Sequence, residues 1–448
     1  MKPWQTLPHD WSAAPVRLGL HRIRHLVDVL GLWPWSFTAI LVTGTNGKGS
    51  TCAFLHEIFQ AHGIGSGLYT SPHLQRPEER IRLGAAEVPS EELEATWRRV
   101  VALSEQELQA GRLEEPPTFF EILTAAALDI FTRHRVTVAV LEIGMGGRYD
   151  ATNVVDPTVS AITHIDYDHE NFLGPRLIDI AEEKFGIARP GVPLVTGERR
   201  PWLLRLWSQR LAAWGSPFVP VYTRTVWETR HQWGHYRLRA EAPEWSLPWT
   251  PLSLAGRHQV ENALVAVWSA WFWFHRQGQS LDMARVQAAL RRTVWPGRLE
   301  WWWHPQAPPV LLDGAHNRDG VRQCVEYLRL QPYNRWTVLF GCMQDKPWVD
   351  MLRLLQPLGD RWAWTPVPGS ERSWDPARHT DYLRAMGFHD GDVLEPSAIP
   401  EFLTGARTPV LVVGSLYLVG WVRARLPELG YRKVVHPELA ESTPGFDT

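Results

Sequence analysis

The run Thr38-Ala39-Ile40-Leu41-Val42-Thr43-Gly44-Thr45-Asn46-Gly47-Lys48-Gly49-Ser50 decides how the chain folds. Its first five residues are apolar or β-branched without alternation, as a parallel strand buried on both faces requires. From about Ser50 to Ala61 the pattern is helical, and His62-Gly63 stops it. Strand, Gly-rich turn and helix in that order form the setting of a phosphate-binding loop. Glycines let backbone N–H groups approach phosphate oxygens, Lys48 sets a cation against the outer phosphates, and the helix N-terminus adds partial positive charge. Ser50 offers a hydroxyl to Mg²⁺. The loop is a variant of GxxxxGK[ST], because Val42 stands at the first Gly position and Gly49 separates Lys48 from Ser50. The alternative is a tight strand-to-helix turn with a surface lysine. Glycine density and context favour nucleotide binding.

Working outward, Val136 to Leu141 reads as a second buried strand, ending at Glu142 and a glycine cluster. An acid at the C-terminal edge of a parallel sheet, beside a phosphate loop, is placed to ligate Mg²⁺; the competing reading is a salt bridge. Thr158 to Thr163 is a third strand. The polar run His164-Ile165-Asp166-Tyr167-Asp168-His169 follows it and suits metal or phosphate, although Mg²⁺ prefers oxygen to imidazole. Arg176 to Ala188 has helical spacing and carries Lys184, which spacing alone reads as a helix-surface lysine beside acids. Residues 201–251 resemble strands and loops more than helices. A long helix is expected from His258 to Arg276. Strands alternating with helices give an α/β class, with a largely parallel sheet of the P-loop ATPase type.

At Trp295-Pro296-Gly297-Arg298 the pattern breaks, and a new α/β series begins with strands at Val310–Asp313, Trp336–Phe340 and Pro409–Val413. The expected division is 1–295 for an ATP-binding domain and 296–448 for a smaller, doubly wound C-terminal domain.

Bulk properties narrow the class. A chain of 448 residues with 44% apolar and 21% charged content is ordinary for a globular protein. The formal net charge of -2 offers no basic excess for nucleic acid or a membrane surface. Cys52, Cys324 and Cys342 form no CxxC pair, which argues against zinc or a disulfide framework. Residues 1–10 lack the apolar run of a leader, and the longest apolar stretch, Ala263 to Phe274, is far short of the roughly 20 residues of a membrane span. A cytoplasmic location is the expectation. The 25 tryptophans read as packing residues rather than ligand platforms.

The motifs taken together resemble the folylpolyglutamate synthases and the bifunctional dihydrofolate synthase/folylpolyglutamate synthases of the Mur ligase superfamily. They are TGTNGKGS (43–50), SPHL (71–74), ERIRL (79–83), TFFE (118–121), LEIGMGGRYDATN (141–153), DHENFLG (168–174), EKFGI (183–187), GRHQVENA (256–263), PGR (296–298), DGAHN (313–317) and GSLY (414–417), in family order. The resemblance implies an ATP-dependent ligase that adds L-glutamate to a folate, or to dihydropteroate, through an acyl phosphate. It assigns Gly47, Lys48, Gly49, Ser50, Asn262, Arg298 and Asp313 to ATP, with Lys48, Lys184 and His316 as catalytic groups. Ser71, Glu142 and His169 match magnesium positions, and Lys184 matches a lysine whose carbamate helps hold a second Mg²⁺. Phe119, Phe120, Glu121, Arg148, Tyr149 and Asp150 fall at the folate site, and His316 and Ser415 at the incoming glutamate. The expected partners are these small molecules alone, without nucleic acid or membrane, on a monomer whose two domains close over the substrates. Two departures stand out: Gly84-Ala85-Ala86 replaces the usual Asn-Gly after ERIRL, and Phe185 replaces a small residue after the modified lysine. The alternative function is a Mur-type amino-acid ligase acting on a nucleotide-linked cell-wall precursor.

Overall fold

The computed structural model describes Arg17 and residues 19–436; the segment read for a leader, residues 1–10, lies outside them. The first sheet has eight strands: β1 (Thr38–Thr43), β2 (Ser66–Tyr69), β3 (Ile81–Leu83), β4 (Ala86–Glu87), β5 (Val138–Glu142), β6 (Pro157–Ile162), β7 (Leu194–Thr196) and β8 (Phe218–Pro220). Their order is β4-β3-β2-β5-β1-β6-β7-β8. β1 lies parallel between β5 and β6, and only the β2-β3-β4 edge is antiparallel.

The unbroken apolar runs of β1 and β5 follow from cover on both faces. Ala39, Leu41, Ala139 and Leu141 point into a core shared with helices Ser90–Gln109 and Phe119–Arg133. Ile40, Val42, Val138 and Val140 point into the opposite core, with helices Lys48–Ala61 and His258–Arg276. Alternation of side chains along each strand divides them between the two layers.

Residues 201–251 depart from expectation. The segment opens with a helix, Pro201–Ala213, because Leu203, Trp207 and Leu211 recur every four residues and are buried, with Pro201 at the first helical turn. Only afterwards do strands appear: β9 (Val226–Gln232), β10 (His235–Glu241) and β11 (Ser246–Pro251), an antiparallel sheet. The β9–β10 turn, Trp233-Gly234, has φ of 46° and 74°, both left-handed, as a two-residue hairpin turn of this hand requires.

The second sheet comprises β12 (Glu300–Trp303), β13 (Val310–Asp313), β14 (Trp336–Phe340), β15 (Gly359–Trp364), β16 (Asp392–Val393), β17 (Val410–Val413) and β18 (Arg432–Val434), in the order β16-β15-β14-β17-β13-β12-β18. Five strands are parallel, and β12 runs antiparallel to both β13 and β18. Trp207, Trp268, Trp273, Trp301, Trp336 and Trp364 are among the largest fully buried side chains, so much of the tryptophan content is core. The three cysteines are buried and unpaired. Among the described residues no helix is long and apolar enough to cross a membrane.

Candidate active site

The phosphate loop leaves β1 at Thr43 and enters its helix at Lys48. Gly47 caps that helix at φ 88°, and a Cβ there would lie 2.3 Å from Asn262 Oδ1. A Cβ on Gly49 would strike the Trp295 ring at 2.6 Å. The glycines therefore let the loop lie directly against the long helix and the linker. Lys48 Nζ folds back to donate to the carbonyls of Gly44 (3.1 Å) and Thr45 (3.0 Å), and its enclosure lowers its pKa. Ser50 is buried and accepts from Gln259 Nε2 at 3.2 Å; Gln259 in turn accepts from Asn262.

Glu142 is the last residue of β5 and pairs in register with Val42. It is buried, and desolvation raises its pKa. The amide of Ser71, in a loop with a cis Ser71-Pro72 bond, donates to its Oε2 at 3.1 Å. The surface reading of Lys184 does not hold. Lys184 is 4% exposed on helix Leu177–Phe185, and its Nζ donates to Gly44 O at 2.8 Å, so it reaches the phosphate loop from below. Burial and the neighbouring Lys48 pull its pKa to about 7. Phe185, the departure at the next position, stacks on Trp207 at 5.6 Å and lies 5.7 Å from Trp214, filling space offered by the unforeseen helix. His169, at φ 54°, joins Lys48, Lys184 and Gly144–Gly146 around one pocket, and burial pulls its pKa to about 4.

The second domain supplies the facing wall. Asp168 accepts from Lys346 Nζ (2.8 Å) and Asn317 Nδ2 (2.9 Å), while Asn46 of the phosphate loop donates to Asn317 Oδ1 (3.1 Å) and Asp319 Oδ2 (2.9 Å). Burial opposes the Asp168 charge, yet Lys346 and the adjacent imidazoles hold its carboxyl well below the usual range. His316 lies 3.9 Å from Asp168; its Nδ1 donates to Gly314 O at 2.8 Å, and burial pulls its pKa to about 3, leaving a neutral ring with its lone pair on Nε2. Asp313, at the end of β13, accepts from the amides of Leu299 and Ala315, both at 3.0 Å; burial raises its pKa, and the Arg298 charge opposes that rise. Ser415 caps helix Leu416–Arg425.

The aromatic side is less uniform. Phe120 lies 6.0 Å from Tyr69, and its ring would sit 2.8 Å from a Cβ on Gly144, so it presses on the loop after Glu142. Asp150 is buried and accepts from Met145 N (2.9 Å) and Thr152 N (3.1 Å), bracing the same loop. Tyr149 is exposed, and Arg148 turns toward Glu182 and Glu183. Glu121 is committed elsewhere: both oxygens accept from Arg22 Nε at 3.1 Å, and Thr118 N donates to Oε2 at 2.7 Å. Asn46, Arg80 and Asn317 lie in the motifs TGTNGKGS, ERIRL and DGAHN without a role assigned from them, and Lys346 lies in no motif. The signal for Lys346 was an Asp-Lys pair shortly after a buried strand.

Two Mur ligase families cover most of the chain: the Mur ligase middle domain matches residues 42–270, and the Mur ligase glutamate ligase domain matches 297–415. The dihydrofolate synthase/folylpolyglutamate synthase of Bacillus subtilis is 32% identical over 421 residues, 92% of this chain and 95% of that one. Mycobacterium tuberculosis folylpolyglutamate synthase, solved with ADP and AMPPCP, superposes with a TM-score of 0.84 at 29% identity over 93% of this chain and 97% of that one. E. coli FolC in complex with DHPP and ADP gives 0.81 at 26% identity over 95% and 97%.

Proposed function

We infer, from a chain that belongs to the Mur ligases and within them to the folylpolyglutamate and dihydrofolate synthases, an ATP-dependent ligase that joins L-glutamate to a folate. The similar proteins are folate ligases, so the cell-wall alternative is not carried forward. The observation that carries the assignment of roles is a single pocket. It gathers the phosphate loop with Lys48, buried Lys184 and His169, and the second domain closes it with His316 and Lys346.

A carboxylate is a poor acyl donor. Its oxygen attacks the γ-phosphorus of ATP, ADP leaves, and an acyl phosphate forms. The glutamate amine then attacks the acyl carbon, and the tetrahedral intermediate collapses to amide and phosphate. Lys48 and the helix N-terminus behind it stabilise charge on the transferring group. Asn262, Arg298 and Asp313 hold the nucleotide between helix, linker and second domain. The glutamate attacks as its neutral amine; the free Nε2 lone pair of His316 orients that amine and receives the proton it sheds as the C–N bond forms. Ser415 helps place the incoming glutamate. Phe119 and Phe120 offer the pterin an aromatic wall, while Asp150 keeps the loop beneath it in place. Pro296-Gly297 is the joint at which the second domain closes, keeping water from the acyl phosphate.

The donor set fits magnesium. Glu142 is a buried carboxylate with one hydrogen-bond partner, and Lys184 is a buried amine close to neutrality at physiological pH, the form that adds CO₂ to give a carbamate oxygen donor. Ser71, Glu142 and His169 would hold one ion, and carbamylated Lys184 would help hold a second. When bound, Mg²⁺ offsets the charge of the phosphate oxygens.

Phosphate release tests the reading. Purified protein with ATP, Mg²⁺ and L-glutamate should release phosphate only when a folate acceptor is present. Tetrahydrofolate and dihydropteroate in separate reactions distinguish a dedicated folylpolyglutamate synthase from a bifunctional enzyme. Release with neither, from protein that binds ATP, would refute the reading.

A further inference from the structure

Arg80, the residue before β3, is only 6% exposed, yet no carboxylate lies within ion-pair distance of it among the described residues. Its Nε donates to His73 Nδ1 at 2.9 Å, and its guanidinium carbon lies 5.5 Å from the centre of the Phe119 ring. The two terminal amino groups have no protein partner and are not sealed from solvent. The buried Glu142 carboxylate feels the Arg80 charge only from beyond ion-pair distance, so a cation in direct contact with one neutral nitrogen and one ring is only partly compensated. Such a group persists where an anion comes to meet it.

Its neighbours place that anion. His73 belongs to the loop whose Ser71 amide bonds Glu142, so one side of Arg80 faces the metal-and-phosphate end of the site. Phe119, on the other side, is at the aromatic end. Across the junction, the Tyr417 ring stands edge-on to His73 at 6.2 Å, two residues beyond Ser415. Gln75 Nε2 donates to Gly420 O at 3.1 Å, tying the same loop to the second domain. A substrate with its ring on the aromatic wall and its reacting carboxylate at the phosphate loop must pass Arg80 with whatever else it carries between them.

We propose that Arg80, its Nε edge fixed by His73, receives the α-carboxylate of the terminal glutamyl residue of the folate acceptor. The proposal rests on the folate-ligase reading. A planar guanidinium with two free amino groups matches a carboxylate in two-point fashion. The γ-carboxylate is consumed in the reaction, which leaves the α-carboxylate as the anion available. Dihydropteroate has one carboxylate, the reacting one, so Arg80 favours glutamylated acceptors over it. Arg80 is a specificity-determining residue on this account, distinct from the groups that handle phosphate.

Binding to the full chain, followed by calorimetry with a non-hydrolysable ATP analogue present, tests this. Tetrahydrofolate should bind the wild type about 10- to 100-fold more tightly than its α-carboxamide analogue, the loss expected for a charge-assisted pair. Arg80→Gln should weaken tetrahydrofolate by a similar factor, leave the carboxamide unchanged, and leave affinity for the ATP analogue within about twofold of wild type. Arg80→Lys should recover only part of the loss. Equal wild-type affinity for acid and amide overturns the proposal without needing any variant to fold. Loss of nucleotide affinity with folate affinity intact also overturns it, and moves Arg80 to the phosphates. A wild type that binds ATP analogue but no folate overturns the underlying folate reading as well, and so is told apart from failure of the Arg80 assignment alone.

Discussion

Lys346 Nζ donates to Asp168 Oδ1 at 2.8 Å across the junction of the two α/β domains, with the two side chains 9% and 8% exposed. Asp168 follows the third strand of the first domain's parallel core, and Lys346 follows β14 of the second. Asn317 and His316 close on the same carboxylate. The wall of the site is therefore also the contact between the domains. Removing one partner of a buried pair leaves the other charge uncompensated, a loss of about 3–5 kcal/mol. Lys346→Met should lose stability of that order in denaturant titration, and Asp168→Asn in the same chain should recover much of it. Additive losses would show that the pair is not coupled.

Glu121 tests the division between structural and substrate-facing acids. Its carboxylate pairs with buried Arg22 and closes the capping box of helix Phe119–Arg133. Glu121→Gln should cost about 1.5–3 kcal/mol of stability, the worth of hydrogen bonds to a charged group, because Glu115 still lies 3.5 Å from Arg22, while the KM for folate in surviving folded protein stays within about twofold, since the side chain does not turn toward the site. A large rise in KM without loss of stability would return Glu121 to the substrate.

Lys184 should carry a carbamate. With labelled bicarbonate, one carbamate carbon resonance is expected in the wild-type protein and none in Lys184→Ala. The variant should lose at least about 10- to 100-fold in kcat, by loss of a metal-supporting group. A wild-type spectrum without that resonance would exclude the carbamate, and full activity in Lys184→Ala would exclude a catalytic role for the lysine.

Acid should destabilise the fold above the carboxylate range. Burial pulls His235 and His258 to about 4 in the folded chain, against about 6.5 unfolded. Between these values the unfolded state binds more protons, so stability falls as pH drops from about 6.5 toward about 4 and this contribution levels off below. Thermal unfolding should give a lower Tm at pH 5 than at pH 7, and His235→Phe should shrink the difference. An unchanged difference would remove His235 from the account.

Much of the fold was legible because burial on both sides leaves unbroken apolar runs, as in β1 and β5, and because the Gly47-Lys48 turn has few other uses. The long helix from His258 to Arg276 was legible at both ends for the same reason of continuous burial. The helix at 201–213 was hidden by its bulky composition: Leu203, Trp207 and Leu211 carry a four-residue period that Pro201 and the flanking tryptophans obscure. Lys184 read as a surface lysine because spacing places it among acids. Only the fold shows that helix Leu177–Phe185 turns that residue inward to Gly44. The pair Asp168–Lys346 and the lone cation of Arg80 depend on contacts between distant segments, which no local pattern encodes.

Incorporation of labelled L-glutamate into tetrahydrofolate, measured with phosphate release in the same reaction, decides whether the chain is a folate-glutamate ligase. One glutamate should be joined in amide linkage for each phosphate released, with Mg²⁺ required, and neither product should form with Lys48→Ala. Phosphate released without glutamylated folate, or glutamate joined only to a nucleotide-linked peptide acceptor, would contradict it.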